Sequence, residues 1–176
     1  MAAEAAVLEE LRGLRVRVPQ VGGALAATVD GFVLAEDLAR ARAERPTEAE
    51  PLAALTAAAL GLAFRMNEAT GRGAFRELLI HGELGYVATY AAGPAAVLTL
   101  LADDRINVGR LHLEGRRTAK HIGELVAEAR RSAASHPPTY VALTRSEPPP
   151  ERRRLPLERR RRGSPEPDGT QRQTTD

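Results

Sequence analysis

Three short apolar runs follow one another with almost no chain between them, at residues 75–81, 86–92 and 95–102. Gly82–Gly85 separates the first two runs, and Gly93-Pro94 separates the last two. A connection between parallel strands needs a dozen or more residues, whereas antiparallel strands can be joined by a turn of this size. The sequence therefore predicts three neighbouring antiparallel strands.

A second strand pair is predicted earlier in the chain, at residues 24–29 and 32–36. Asp30-Gly31 separates the two runs, and this dipeptide is typical of a tight two-residue hairpin turn because it accepts positive φ angles. Residues 37–45 are polar, and we expect a loop there.

Helical periodicity predicts one helix before the first strand and another after the last strand. Val7, Leu11, Leu14 and Val18 recur at helical spacing, which predicts a first helix over about residues 3–17. A last helix is expected from near residue 107 to near residue 134. Its predicted inner face consists of Val108, Leu111, Gly115, Ile122 and Val126.

A middle helix is predicted to end near Ala69, and Thr47 and Glu50 have the spacing of a capping box at its start. Its centre is rich in alanine and includes Gly61, which suggests close approach to other elements. Apolar residues recur along it at spacings of three and four. This set is Leu52, Leu55, Ala59, Leu62 (with Ala63 beside it) and Met66. It is called the α2 stripe below, because the middle helix is the second of the three predicted helices.

The predicted order of elements is α-β-β-α-β-β-β-α within residues 1–135. It predicts an α/β fold with a five-stranded antiparallel sheet and helices on both faces: helices one and three on one face, and helix two on the other. The chain has no cysteine, which excludes disulfides and thiolate chemistry. We find neither a signal peptide nor an uncharged apolar run of about 18 residues, so a cytoplasmic location is expected.

The composition changes near residue 135. Eight of the 12 prolines lie beyond it, together with nine arginines and six acidic residues, which leaves 16 basic and 17 acidic residues before it. The sequence pI of 9.5 is thus a property of the tail. Apolar periodicity also ends there, so residues 136–176 are predicted to be a disordered Pro/Arg-rich tail.

Residues with catalytic potential are scattered. No phosphate-binding loop motif is present, and the Gly71-Arg72-Gly73 segment lacks the third glycine of a dinucleotide fingerprint. His112 and His121 are nine residues apart, on opposite sides of one helix, so they cannot share a metal ion. We read Asp103-Asp104 as a turn and the paired arginines of the last helix as its solvated face. We therefore expect no catalytic residue, no metal and no cofactor, and a binding role instead of an enzymatic one.

Four stretches, in this order and spacing, resemble the roadblock (dynein light chain) family, in particular its bacterial members. They are Arg17-Val18-Pro19 followed by residues 23–31, residues 52–73, and residues 101–111. The resemblance covers about residues 5–130. It implies a dimer formed by joining sheet edges and packing helix two against its partner. It also implies a small Ras-like GTPase as partner, regulated without a catalytic residue from this chain.

Two functions are compatible with this resemblance. The first is a homodimeric regulator of a small Ras-like GTPase in a signalling complex. The alternative is a passive scaffold or adaptor dimer that assembles a membrane-associated complex with a sensor-kinase-like protein and leaves GTP hydrolysis unchanged. Specific nucleic-acid binding is not expected, because the basic tail has no interleaved aromatic residues.

The dimer interface is predicted at the edge strand 75–81 and helix two. Its expected residues are the α2 stripe with Phe75, Glu77 and Leu79. A separate expectation concerns the tail, whose seven clustered arginines suggest salt-sensitive attraction to anionic surfaces at the inner face of a membrane. These are Arg152, Arg153, Arg154, Arg159, Arg160, Arg161 and Arg162.

Overall fold

The computed structural model describes residues 2–38 and 47–135 of the chain. The predicted order of elements and the five-stranded antiparallel sheet are confirmed. The predicted tail, including its arginine clusters, lies outside the described residues. The elements are α1 (Ala2–Arg17), β1 (Val21–Thr28), β2 (Val33–Leu38), α2 (Ala49–Ala69), β3 (Glu77–Gly82), β4 (Gly85–Ala92), β5 (Ala96–Asp103) and α3 (Val108–Ser135).

The strands lie in the order β2-β1-β5-β4-β3, and every neighbouring pair is antiparallel. The first hairpin and the later three strands are thus joined through β1 and β5, where Leu25 is opposite Thr99. This arrangement leaves β2 and β3 at the two edges of the sheet.

Helices cover both faces of the sheet, as predicted. On one face α1 packs on β1 and β2, and α3 packs on β4 and β5. The main core lies there and contains all four residues of the predicted first-helix stripe, Val7, Leu11, Leu14 and Val18. On the other face α2 packs mainly over β1 and β2, above a smaller core.

Close approach between α3 and the sheet depends on glycine. A Cβ added to Gly115 would lie 2.4 Å from the ring of Tyr90, and one on Gly123 would lie 3.0 Å from the backbone of Ala92. Any side chain at Gly115 would therefore overlap a buried ring. The inner face of α3 also includes Thr118 and Ala119, which the apolar spacing did not identify.

The first hairpin turn differs from the prediction. The strands end at Thr28 and begin again at Val33, so the loop has four residues instead of two. The Thr28 amide donates to the Phe32 carbonyl at 2.8 Å, and the Thr28 hydroxyl accepts from the Phe32 amide at 3.1 Å. These local bonds stabilise the wider loop and leave Phe32, which was predicted in the strand, 72% exposed. Gly31 has the predicted positive φ, 89°.

Two boundaries also differ. The second strand extends to Leu38, because Arg15 of α1 forms an ion pair with Asp37 at 2.7 Å and holds this polar segment against the fold. The predicted capping box is wrong, since the N-cap of α2 is Glu48 and has no side-chain cap hydrogen bond. At the start of α3, the Asn107 side chain accepts a hydrogen bond from the Arg110 amide at 3.0 Å.

Candidate protein-interaction surface

One face of α2 packs on the sheet and the other has no partner within the described residues. The buried face consists of Ala49, Ala53, Thr56 and Leu60. The Thr56 hydroxyl lies 3.2 Å from that of Thr99 on β5, so a buried hydrogen bond fixes the rotation of the helix. That rotation decides which apolar residues of α2 remain outside.

The α2 stripe lies on the outer side and on one flank of the helix. Leu55, Leu62 and Met66 are 68%, 62% and 60% exposed. The other three members, Leu52, Ala59 and Ala63, are half-buried. Exposed large apolar side chains at helical spacing are unusual on a monomer and are typical of an interaction site.

The direction of this flank follows from the β1–β2 loop. A Cβ on Gly31 would lie 3.3 Å from both Ala54 Cα and Ala57 Cβ, so that side of α2 faces the loop. Leu52, Ala59 and Ala63 are on the opposite flank of the helix. They therefore face away from this loop.

Strand β3 forms an edge of the sheet, as the predicted interface requires. Its partner is β4, so its outer backbone N–H and C=O groups are available to another strand. Ile80 is 49% exposed and lies on the α2 side, since it is opposite Val87, which is in turn opposite Leu101. These side chains line an open groove of about 820 Å³ that extends to the exposed Leu84.

Phe75 occupies a different environment from the rest of the predicted interface. It precedes β3, is only 7% exposed, and its ring centroid lies 5.5 Å from that of Phe64. It is therefore already buried in its own chain. The exposed apolar residues near this edge are instead Phe64, Ile80 and Leu84. Helical periodicity did not single them out, because Phe64 does not follow the spacing of the α2 stripe and the other two are not in a helix.

Glu77 and Leu79 lie on the α3 side of β3. Leu79 packs against the main core. Both carboxylate oxygens of Glu77 accept hydrogen bonds from Arg116 of α3, at 2.7 and 2.6 Å. These bonds lower the pKa of Glu77, and the nearby His112 acts in the same direction. Arg116, predicted to be simply solvated, thus connects α3 to the edge strand.

The remaining titratable groups form no catalytic constellation within residues 2–38 and 47–135. The Tyr90 hydroxyl lies 3.2 Å from His112 Nδ1, and burial raises the pKa of this tyrosine. His121 lies near Glu124, and His81 is exposed and stacked on Tyr86. No group of three or more potential ligands is placed to hold a metal ion in the described part of the chain.

By length and a hydropathy of 1.2, α2 is also the one helix in the described segments that could cross a membrane. A core helix can have the same length and apolar composition. Here one side of α2 contributes buried residues to the smaller core.

The chain is similar to several known proteins. Residues 7–102 match the family model described as the Roadblock/LC7 domain. A structure of MglB with a tetrameric arrangement is 27% identical, with a TM-score of 0.65, and the match covers 73% of this chain and 93% of the other. The gliding protein MglB from Thermus thermophilus is 26% identical, with a TM-score of 0.64 and the same coverage.

A curated relative also matches more than half of this chain. An uncharacterized protein of Methanocaldococcus jannaschii is 29% identical over 102 residues, which cover 58% of this chain and 84% of the relative. A Roadblock/LC7 domain from Streptomyces avermitilis is 21% identical with a TM-score of 0.60, and it supports the fold. Because the family model matches more than half of its residues, this chain belongs to the Roadblock/LC7 domain family.

Proposed function

We propose that the protein is a non-catalytic, homodimeric regulator of a small Ras-like GTPase in a cytoplasmic signalling complex. The observation that carries the proposal is the exposed apolar stripe of α2 beside the open edge strand β3. Together they offer a second chain both backbone hydrogen bonds and apolar contact.

The dimer follows from the self-complementarity of this surface. Two antiparallel β3 strands related by a two-fold axis would join the five-stranded sheets into one of ten strands. The same axis would bring the flank of α2 with Leu52, Ala59 and Ala63 toward its copy. The small alanines would allow the two helices to approach closely. The tetrameric arrangement of the similar MglB structure supports association as a property of such domains.

The GTPase partner is inferred from family membership. The resemblance implies regulation by positioning the GTPase's own residues, which requires a shaped protein surface and no catalytic group from this chain. An apolar surface without a catalytic constellation is compatible with this role.

The assay is GTP hydrolysis by a small GTPase encoded beside this gene, measured with and without the protein. We expect a changed single-turnover rate with the wild type and a weaker effect with Leu55→Ala. Val16→Ala, which also shortens an exposed apolar side chain but lies on α1, should behave like the wild type. An unchanged rate despite stable complex formation would support instead the passive scaffold, which binds a sensor-kinase-like membrane protein. Absence of any complex with the GTPase would contradict both functions.

A further inference from the structure

A polar groove of about 350 Å³ runs between α1 and α3, on the face of the sheet opposite α2. It is independent of the α2 stripe and of β3. Six residues line it: Glu10, Arg17, Arg117, Lys120, His121 and Glu124.

Hydrogen bonds inside the groove occupy one of its acidic groups. The Glu10 carboxylate accepts from Arg17 at 2.9 Å and from the Thr118 hydroxyl at 3.2 Å. Arg17 also donates to Glu114 at 3.1 Å. Arg17 is therefore satisfied by protein carboxylates and holds α1 against α3.

Two further cations of the groove have no such partners. Arg117 and Lys120 are exposed, and neither forms a hydrogen bond or ion pair with another described residue. Three residues apart on one helix, they project from the same side of α3. Their N–H groups are available to an anion at the mouth of the groove.

An exposed apolar side chain lies on the same side of the helix. Leu113 is 66% exposed and precedes Arg117 by four residues, so the two side chains are neighbours on α3. A soluble anion would gain nothing from this leucine. A phospholipid surface offers phosphates to the cations and acyl chains to the leucine.

We propose that the groove between α1 and α3 binds the headgroup of an anionic phospholipid, with Arg117 and Lys120 as phosphate donors and Leu113 inserted at the bilayer surface. This contact places the α1 and α3 face on the membrane. The α2 stripe, on the other side of the sheet, stays free for protein partners. The residues proposed for this site are all in α1 and α3, and none of them is a tail arginine.

The test is co-sedimentation of the full-length chain with phosphatidylcholine vesicles, with and without phosphatidylglycerol. Each basic residue close to an anionic membrane contributes about five-fold to binding, so Arg117→Gln with Lys120→Gln should weaken binding about 25-fold at low salt. Arg65→Gln with Arg72→Gln is the matched control. It removes the same charge from two exposed arginines, one in α2 and one just after it, whose side chains have no ion pair with another described residue. This variant should bind like the wild type. The tail is intact in every variant, so its contribution is constant.

Equal losses in the two double variants would mean that total charge governs binding and would overturn the site. Undiminished binding by the Arg117/Lys120 variant would also overturn it. Leu113→Ser should weaken vesicle binding and leave the melting curve unchanged. If inorganic phosphate binds at these residues and displaces vesicles, or Leu113→Ser has no effect, the groove is a site for soluble anions and the membrane assignment fails.

Discussion

Replacing Leu55 with alanine tests the proposed dimer at one exposed side chain of α2. Leu55 is 68% exposed in the single chain, so a partner could still bury about two-thirds of it. Alanine lacks three of its carbon atoms, and burial of each contributes about 0.8 kcal/mol. The loss is therefore roughly 1.6 kcal/mol per chain and roughly 3 kcal/mol for the two copies of a symmetric dimer. The dimer dissociation constant should rise about 100-fold, since 1.4 kcal/mol corresponds to about tenfold.

The measurement is sedimentation velocity over a dilution series, which gives the dissociation constant directly. Val16→Ala is the matched control, because Val16 is 81% exposed but lies on α1, on the other face of the sheet. It should leave dimerisation unchanged. Equal dissociation constants for wild type and Leu55→Ala would refute the interface, as would an equal effect of the control. A wild-type chain that stays monomeric at tens of micromolar would refute the dimer itself.

Three further predictions concern stability. Gly115→Ala should destabilise the fold, since overpacking against a buried tyrosine ring 2.4 Å away costs about 1–3 kcal/mol and exceeds the roughly 1 kcal/mol gained in helix propensity. Gly61→Ala, whose new Cβ would meet nothing within 4 Å, should stabilise by about 1 kcal/mol. Urea unfolding measures whether each variant lowers or raises the free energy of unfolding, and equal changes in the two variants would contradict the packing argument. Because the hydrogen bonds from Arg116 lower the pKa of Glu77, that pair stabilises the fold above pH 4.5 and its contribution is lost as the pH falls through the lowered value. The stability difference between wild type and Glu77→Gln should therefore shrink from pH 7 to acid, and a constant difference would argue against the ion pair. Deleting residues 136–176 should leave the thermal melt and the dimer unchanged; a large loss of stability would mean that the tail docks on the domain.

Local patterns in the sequence were sufficient to predict the elements. A period of 3.6 identified α1 through Val7, Leu11 and Leu14, all of which are buried. Short glycine-containing turns indicated the antiparallel β3-β4-β5 succession. The sequence also supplied the apolar stripe of α2. These features depend on residues a few positions apart, whose spacing can be read directly from the sequence.

Local signals were less reliable at the turns. Asp30-Gly31 did predict a positive φ, but the hydrogen bonds of Thr28 widened the loop to four residues. Thr47 and Glu50 had capping spacing, yet α2 begins after Glu48. At such positions several local bonding patterns have similar energies, and tertiary contacts select among them.

By itself, the sequence determined the fold class, the order of elements and the family resemblance, because periodicity and turn chemistry are local. The tertiary structure decided that β3 is an edge strand, since this depends on β1 pairing with β5 about 70 positions later. It also decided that Phe75 is buried and that Glu77 is held by Arg116. Arg117, Lys120 and Leu113 are ordinary surface residues in the sequence. They share one side of α3 because of their helical spacing, but the groove beside them exists only because α1 packs against α3. Contacts between residues about 100 positions apart have no signature in local spacing.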